Sequence, residues 1–310
     1  MKIAVASGKG GTGKTTFVLS LSQVIEKNVI ILDCDVEEPN LHLFLKQHPL
    51  SEKVIKIKKP VINESLCVNC GLCSKHCQFN AIINLPKYPL ISNELCHSCG
   101  VCEFICPQNA ISEVDYQIGK KVFYRKTGDT LKEISLISGV LDIGQIMAAP
   151  LINQIKQDYM NLPKNDVLII DSPPGASCSM FEAIKDMDYI VLVTEPTPFG
   201  LHDLKMAVNA IKNTDIPYGV FINKADIDKK EFSLDDFCNR QKNEDSLLKN
   251  SLEKYCKDNN IKILGQLAFE KEYAKACATG IILSQEYNEV FNIFNNVYTQ
   301  IKQAIFETGE

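Results

Sequence analysis

Short apolar runs recur along the chain, and most are followed by apolar positions three and four apart. Lys2 to Ala6, Val29 to Leu32, Ile134 to Ser138, Asp166 to Ile170, Tyr189 to Val193 and Tyr218 to Ile222 read as strands of the kind buried on both faces of a parallel sheet. Helical spacing links Phe17, Leu21, Val24 and Ile25 in a helix over Thr15 to Lys27. It also links Met147, Leu151, Ile155 and Tyr159, and later Leu204, Val208 and Ile211. A last long helix, about Glu286 to Phe306, places Val290, Phe294, Val297, Ile301 and Ile305 on one face. Repeated strand-then-helix units require parallel strands joined by right-handed crossovers. The expected fold is therefore α/β, built on a doubly wound, mostly parallel sheet.

The alternation breaks between about Pro60 and Tyr116, a cysteine-rich stretch without an extended helical pattern. Lys120 to Arg125 then reads as extended, and Ile134 marks the return to the main sheet. The expected domains are a discontinuous one, residues 1–59 and 117–310, and an inserted one, residues 60–116. The ends of the insertion must lie close together for the host sheet to continue. Asp226 to Asp245 is charged and weakly patterned, as in a surface excursion. A hydrophobic content of 45% and a charged content of 23% describe an ordinary globular chain. Its net charge of −5, with no basic run, argues against a nucleic-acid partner. No apolar run reaches membrane-spanning length and Met1 leads directly into a strand, so a cytoplasmic protein is expected. The last helix carries Lys302 as its single cation. It lacks the basic face that anionic lipid requires, so it is expected to dock on the core and to serve as no stable membrane anchor.

Chemistry concentrates at the ends of strands. Ser7-Gly8-Lys9-Gly10-Gly11-Thr12-Gly13-Lys14-Thr15-Thr16 fits G-x-x-x-x-G-K-[ST] between a strand and a helix. Such glycines let backbone N–H groups turn onto phosphate oxygens, and the following helix adds the positive end of its dipole. Lys14 would neutralise the outer phosphates of a nucleotide, and the Thr15 hydroxyl would ligate Mg²⁺. Asp33-Cys34-Asp35 ends one strand and Asp171-Ser172-Pro173-Pro174-Gly175 ends another, in the crevice where open α/β sheets bind ligand. An apolar strand ending in Asp171 suits a carboxylate that holds a Mg²⁺-bound water. Asp33 can instead cap the turn over Leu41 to Lys46.

Eight of the 13 cysteines fall in two copies of one spacing. Cys67, Cys70, Cys73 and Cys77 make the first, and Cys96, Cys99, Cys102 and Cys106, followed by Pro107, make the second. Paired C-x₂-C units suit tetrahedral zinc, but zinc needs neither the third cysteine step nor the C-Pro ending. Three thiolates at two-residue intervals can hold one 4Fe–4S cube while the fourth reaches its neighbour. That assigns Cys67, Cys70, Cys73 and Cys106 to one cluster, and Cys96, Cys99, Cys102 and Cys77 to the other. Apolar pairs follow each set (Ala81-Ile82 and Ala110-Ile111), suggesting a pseudo-two-fold repeat of about thirty residues. Eight clustered cysteines argue for a reducing compartment. Cys34, Cys178, Cys238, Cys256 and Cys277 remain, and Cys178 is expected to be an ordinary buried thiol.

The cysteine stretch resembles bacterial-type two-cluster ferredoxins, departing once, with Gln78 where proline is frequent. The K-G-G-T-G-K-T-T arrangement resembles the deviant Walker A P-loop of the MinD/ParA/Mrp-like ATPases, and D-S-P-P-G resembles their switch II. The whole chain thus resembles a MinD-superfamily ATPase with an inserted ferredoxin domain. The resemblance implies ATP/ADP bound by Gly8, Lys9, Gly10, Gly11, Thr12, Gly13, Lys14, Thr15 and Thr16, with Lys9 reaching the phosphates of a partner subunit. It implies Asp35 as the carboxylate that positions attacking water, Asp171 at Mg²⁺, Gly175 as a γ-phosphate sensor and Asn223 at the adenine edge, where a turn asparagine is the other reading. The implied assembly is a homodimer, or a heterodimer with a paralogue. Lys9, Lys14, Asp35 and Asp171 are the expected catalytic set, in a slow, partner-stimulated ATPase. The implied function is ATP-gated electron transfer or metallocluster maturation, with a redox or cluster-accepting protein as partner. A Mrp-like cluster carrier and a MinD/ParA-type positioning ATPase are the alternatives.

Overall fold

The computed structural model describes residues 1–124, 132–163, 166–226 and 245–308. Arg125, Cys238 and nearly all of the charged stretch after Asp226 lie outside the described residues. The chain opens with β1 (Lys2–Ala6), α1 (Lys14–Val24), β2 (Val29–Asp33), α2 (Leu41–Phe44) and β3 (Pro49–Ile62). The cysteine-rich segment holds α3 (Leu72–His76), β4 (Ile82–Ile83), β5 (Leu90–Ile91) and α4 (Val101–Phe104). There follow β6 (Ile111–Tyr124), β7 (Ile134–Leu141), α5 (Ala148–Gln157), β8 (Val167–Asp171), α6 (Cys178–Ile184), β9 (Tyr189–Thr194), α7 (Pro198–Ile211) and β10 (Tyr218–Asn223). The last elements are α8 (Asp245–Asp258), β11 (Lys262–Leu267), α9 (Lys271–Ala278), α10 (Leu283–Glu286) and α11 (Asn288–Thr308).

The main sheet has the order β11-β10-β9-β1-β8-β2-β7-β6-β3. Strands β11 through β7 run parallel, as the strand-then-helix pattern requires, while β6 is antiparallel to β7 and β3 is antiparallel to β6. Alternate residues of each parallel strand serve opposite cores, so both faces are apolar. Ile31, Val167 and Ile169 face α1 and α11, whereas Leu32, Leu168 and Ile170 join Leu151, Met180 and Leu204 on the other side. The expectation that the last helix docks on the core holds: Val290, Phe294, Val297 and Ile301 are fully buried. The first helix ends at Val24, short of Lys27, because Ile25 turns extended (φ −81°, ψ 122°).

Strands β3 and β6 were not both legible as one unit. They pair from Pro49↔Tyr124 to Ile62↔Ile111, but β6 meets β7 only over Gly119–Phe123. Beyond that contact the two strands form an arm whose end carries residues 63–110. The composition boundaries at Pro60 and Tyr116 therefore fall inside paired strands. Pro60 is tolerated because β3 is the sheet's edge and a missing N–H there breaks no ladder. The closely placed ends expected of the insertion are Ile62 and Ile111, direct partners.

One aromatic cluster ties the first helix to the last. Phe17 meets Phe221 and Phe294 at ring-centroid distances of 4.9 and 5.1 Å, and all three are buried. Phe294→Ala is expected to lower stability by about 3–5 kcal/mol in denaturant titration, since it opens a cavity shared by two helices and a strand.

Candidate functional site

The parallel register gathers the ends of β1, β8, β2 and β9 at one edge. Val5 pairs with Asp171, and Asp171 pairs on its other side with Asp33. The loop from Ser7 to Gly13 leaves β1 there and turns into α1, with Gly11 and Gly13 at φ +77° and +94°. Gly13 permits the turn and admits a close neighbour, because a Cβ there would stand 2.2 Å from Asn223 Nδ2. Gly8 is closed in the same way by the Asp203 carbonyl. Gly10, Gly11 and Gly175 face open space instead.

Inside this loop Lys14 is buried and its Nζ donates to Ser7 Oγ at 2.9 Å. Burial lowers its affinity for a proton, while Asp171 and Asp35 work against that shift. The Thr15 hydroxyl donates to Asp171 Oδ2 at 2.9 Å. Asp171 Oδ1 and Thr12 Oγ1 are buried with no protein partner. Burial first, and Asp35 after it, push Asp171 up to about 6 against Lys14 and the Thr15 hydrogen bond. Asp35 is also raised by burial, with Lys14 opposing and Glu37 and Glu38 adding to it. The resulting cradle has one buried cation, two adjacent carboxylates and an unsatisfied oxygen, a donor set that fits Mg²⁺ and phosphate.

Asp33 takes the capping role that the sequence allowed it. Its Oδ2 accepts from the Asn40 and Leu41 N–H groups at 3.1 and 3.2 Å, at the start of α2. Full burial beside Asp171 raises its carboxyl well above the usual range. Asn223 donates from Nδ2 to the Thr12 carbonyl at 2.9 Å and accepts from the Lys224 N–H at 3.0 Å. The Gly175 N–H donates to Ser7 O at 3.0 Å, tying the proline-rich turn to the phosphate loop. Thr16 lies near Cys277, with Oγ1 and Sγ 4.0 Å apart.

Three participants went unread in the sequence: Ser7, Glu195 and Lys224. Lys9 Nζ lies 2.5 Å from Glu195 Oε1, and Lys224 Nζ lies 3.1 Å from Glu195 Oε2. Burial would raise the Glu195 carboxyl, but the hydrogen bonds from Lys9 and Lys224 outweigh it and hold the carboxyl low. The usable signal was position, since Glu195 and Lys224 each follow directly on a strand of the parallel sheet.

The cysteine segment repeats in structure as it does in sequence. At a constant offset of 29 residues, Asn69 and Ser98 sit at φ 50° and 53°, Gly71 and Gly100 at 72° and 74°, and Asn80 and Asn109 at 52° and 48°. Gln78 leaves its turn unchanged: the Asn80 N–H reaches Cys77 O much as the Asn109 N–H reaches Cys106 O. Two small cavities lie between the copies. The first is lined by Cys67, Cys70, Cys73 and Cys106, with Ile62 and Ile111 behind them. Cys77, Cys96, Cys99 and Cys102 line the second. Backbone N–H groups of Ala81, Ala110 and Ser98 point at Sγ of Cys77, Cys106 and Cys96, at 3.3, 3.2 and 3.4 Å. Burial pushes Cys102 up to about 11 and raises Cys73 as well. Among the described residues no three His, Cys, Asp or Glu side chains converge tightly enough to hold a single metal ion.

Outside these cavities Cys34 and Cys256 are buried and Cys277 is partly so. Cys178 corrects the sequence reading. It is exposed, because it begins α6 on the solvent side of the turn capped by Ser177, before the first buried position at Met180.

A glycine-rich strand-to-helix loop with a buried lysine, beside strand-end carboxylates on a parallel sheet, defines a P-loop nucleotide-binding protein. Residues 3–283 match the CobQ/CobB/MinD/ParA nucleotide binding domain, and the chain belongs to that family. An uncharacterized protein of Methanocaldococcus jannaschii is 30% identical across 98% of both chains. A polyferredoxin-like protein of the same organism matches over 48 residues, 31% identical, covering 16% of this chain and 19% of that one. Among solved structures, the septum site-determining protein MinD of Pyrococcus horikoshii, complexed with Mg-ADP, has TM-score 0.54 at 15% identity. That alignment covers 98% of this chain and 96% of that one, and it shows a shared fold. Among the described residues no helix is long and apolar enough to cross a membrane.

The raised Asp171 carboxyl has a consequence for stability. It holds its proton more tightly in the fold than in the unfolded chain, where its value is about 3.9. Its contribution therefore favours folding below about pH 4 and is lost as pH rises through about 6. Asp171→Asn is expected to stabilise the nucleotide-free protein by roughly 2–3 kcal/mol at pH 8. The gain should shrink toward zero by about pH 4, as read by urea unfolding across that range.

Proposed function

We propose that this chain is a dimeric ATP switch joined to two 4Fe–4S clusters, in which ATP binding and hydrolysis gate electron transfer or metallocluster assembly at a partner protein. The observation that carries the reading is the crossed lining of the two cavities. Each takes three cysteines from one sequence copy and the last cysteine from the other. Four thiols around one cavity, with N–H groups aimed at several of the sulfurs, fit the donor set of an iron–sulfur cube. A bound cluster supplies one-electron storage; the chain supplies the thiolates, the backbone donors and the apolar wall of Ile62, Ile82 and Ile111.

At the other site Lys14 would bind phosphate oxygens, the Thr15 hydroxyl and, through a water, Asp171 would hold Mg²⁺, and the open backbone at Gly10 and Gly11 would admit the nucleotide. Asp35, raised by burial and facing Lys14, suits the positioning of water, the role implied by the family resemblance. The Gly175 N–H, which here donates to the Ser7 carbonyl, is a donor for which a γ-phosphate would compete, the sensor role implied by the family resemblance. A second copy or a paralogue would meet Lys9 across the open glycine face. Delivery of clusters as cargo is an outcome that the experiments below separate from electron relay.

Three experiments test the reading. Anaerobic reconstitution should load about eight iron and eight sulfide per chain, and Lys14→Ala should abolish ATP binding while leaving that content intact. Zinc in place of iron, or joint loss of both functions, would contradict it. Asp35→Ala should retain ATP binding, lose most hydrolysis and accumulate as dimer in gel filtration with ATP; unchanged turnover would remove Asp35 from the reaction. Iron retained through many turnovers in the presence of apo acceptor would exclude the carrier role.

A further inference from the structure

The two cysteine sites share a backbone but differ in charge, and the difference rests on Lys59. This side chain is 1% exposed, among the most buried in the molecule, although it belongs to a lysine-rich strand. Its Nζ donates to the Asn93 carbonyl at 2.8 Å and to the Cys96 carbonyl, and it stands 5.8 Å from the Tyr116 ring centroid. Among the described residues no carboxylate lies within ion-pair distance of it. Its strand neighbour Lys58, by contrast, is exposed and paired with Asp115 at 2.7 Å. A buried ammonium with carbonyls but no counter-ion is costly unless negative charge stands close by. Cys96 is a wall residue of the second cavity, and four thiolates around an iron–sulfur cube would provide that charge.

The pseudo-two-fold repeat supplies an internal control. The position 29 residues beyond Lys59 is Tyr88, and the position 29 residues before Asn93 is Glu64. Tyr88 hydrogen-bonds Glu64, so the first site has a neutral phenol and an acid where the second has a buried cation. Of the other charges near the second site, Glu94 and Glu103 are exposed and screened by water. Glu113, one of whose carboxylate oxygens is buried without a partner beside Gly100, opposes Lys59 there, and Asn84 stands beside Gly71 in its place at the first site.

We propose that Lys59 is a positioning residue that sets the Cys77–Cys96–Cys99–Cys102 site at a higher reduction potential than the Cys67–Cys70–Cys73–Cys106 site. A single electron from a one-electron donor therefore rests beside Lys59, taking that cluster from the 2+ to the 1+ state while the other stays oxidised. A nearby positive charge stabilises the more negative, reduced cluster, and burial keeps that effect from being screened. The inference rests on the iron–sulfur reading above.

The test uses the full chain, reconstituted anaerobically, with iron and sulfide assayed before each potentiometric titration followed by electron paramagnetic resonance. Wild type should titrate in two separate steps. Lys59→Met should lower the upper step by on the order of tenfold in the ratio of reduced to oxidised cluster, ~59 mV for one electron, and leave the lower step in place. Lys59→Arg should preserve the wild-type order, and Lys58→Met should move neither step. Should Lys59→Met lose its clusters, Lys59→Gln carries the test, because its amide can still donate to the Asn93 or Cys96 carbonyl without the charge and should lower the upper step in the same way. Equal potentials in wild type, or a Lys59→Met protein with full iron and both steps unmoved or equally moved, would overturn the assignment. Failure to load iron and sulfide into wild type would instead bring down the cluster reading itself, and the metal assay tells the two failures apart.

Discussion

Two buried carboxylates stand side by side at the ends of neighbouring strands, and the rest of the nucleotide site answers to that constraint. Register places Asp33 opposite Asp171. Like charges in a low-dielectric interior cannot both remain ionised without compensation. Asp33 is met by two N–H groups at the start of α2, and Asp171 by the Thr15 hydroxyl and the charge of Lys14. One Asp171 oxygen still has no partner. The cradle is thus organised around an unmet demand for positive charge, of the kind a phosphate-bound divalent cation would satisfy. The same demand explains why Lys14 stays folded inward on Ser7 although burial disfavours its charge.

The cysteine segment is wired to this site through backbone. The Leu141 N–H donates to the Val36 carbonyl, one residue past Asp35, and the next N–H, that of Asp142, donates to the Ile118 carbonyl, each at 2.9 Å. Ile118 is the unpaired residue where the β3–β6 ladder slips, and it is fully buried. A shift of the Asp35 loop would therefore reach the root of the arm through two hydrogen bonds and a bulge, without any surface loop in between. Bulges re-aim the strand beyond them, so this is a place where a small displacement changes the direction of a long lever.

Much of this was legible because the residues involved had few alternatives. The phosphate loop needs its glycines, the parallel strands need continuous apolar runs, and the cysteine spacing is specific enough to indicate which thiols share a cavity. What escaped the sequence has physical reasons as well. Strand β3 carries Lys53, Lys56, Lys58 and Lys59, a run that reads as solvated; only its alternation with Ile55 and Ile57 puts Lys59 on the inward face, and that signal appears only once the segment is known to be a strand. Helices α8 and α9 and strand β11 are polar enough that tertiary packing decides them more than local pattern does. Cys178 was misjudged because thiols are usually buried, whereas the first residue of a helix that follows a glycine turn is held outward by the turn.

The pairing of Lys9 shows how such a molecule can be poised without being locked. In the single chain the lysine that the family resemblance assigns to the partner's phosphates is held by Glu195, which is only 8% exposed. Removing the sole partner of a buried carboxylate would strand its charge at a cost of several kcal/mol. Glu195, however, keeps Lys224, itself bonded to the Gly11 carbonyl of the phosphate loop. Departure of Lys9 would therefore leave a complete ion pair behind, and a lysine that moved to phosphate would exchange one anion for another. A half-exposed cation moving between two negative partners meets a small difference in free energy rather than a full desolvation penalty. The Glu195 pair is therefore a contact that Lys9 could leave at little cost, because Lys224 would remain.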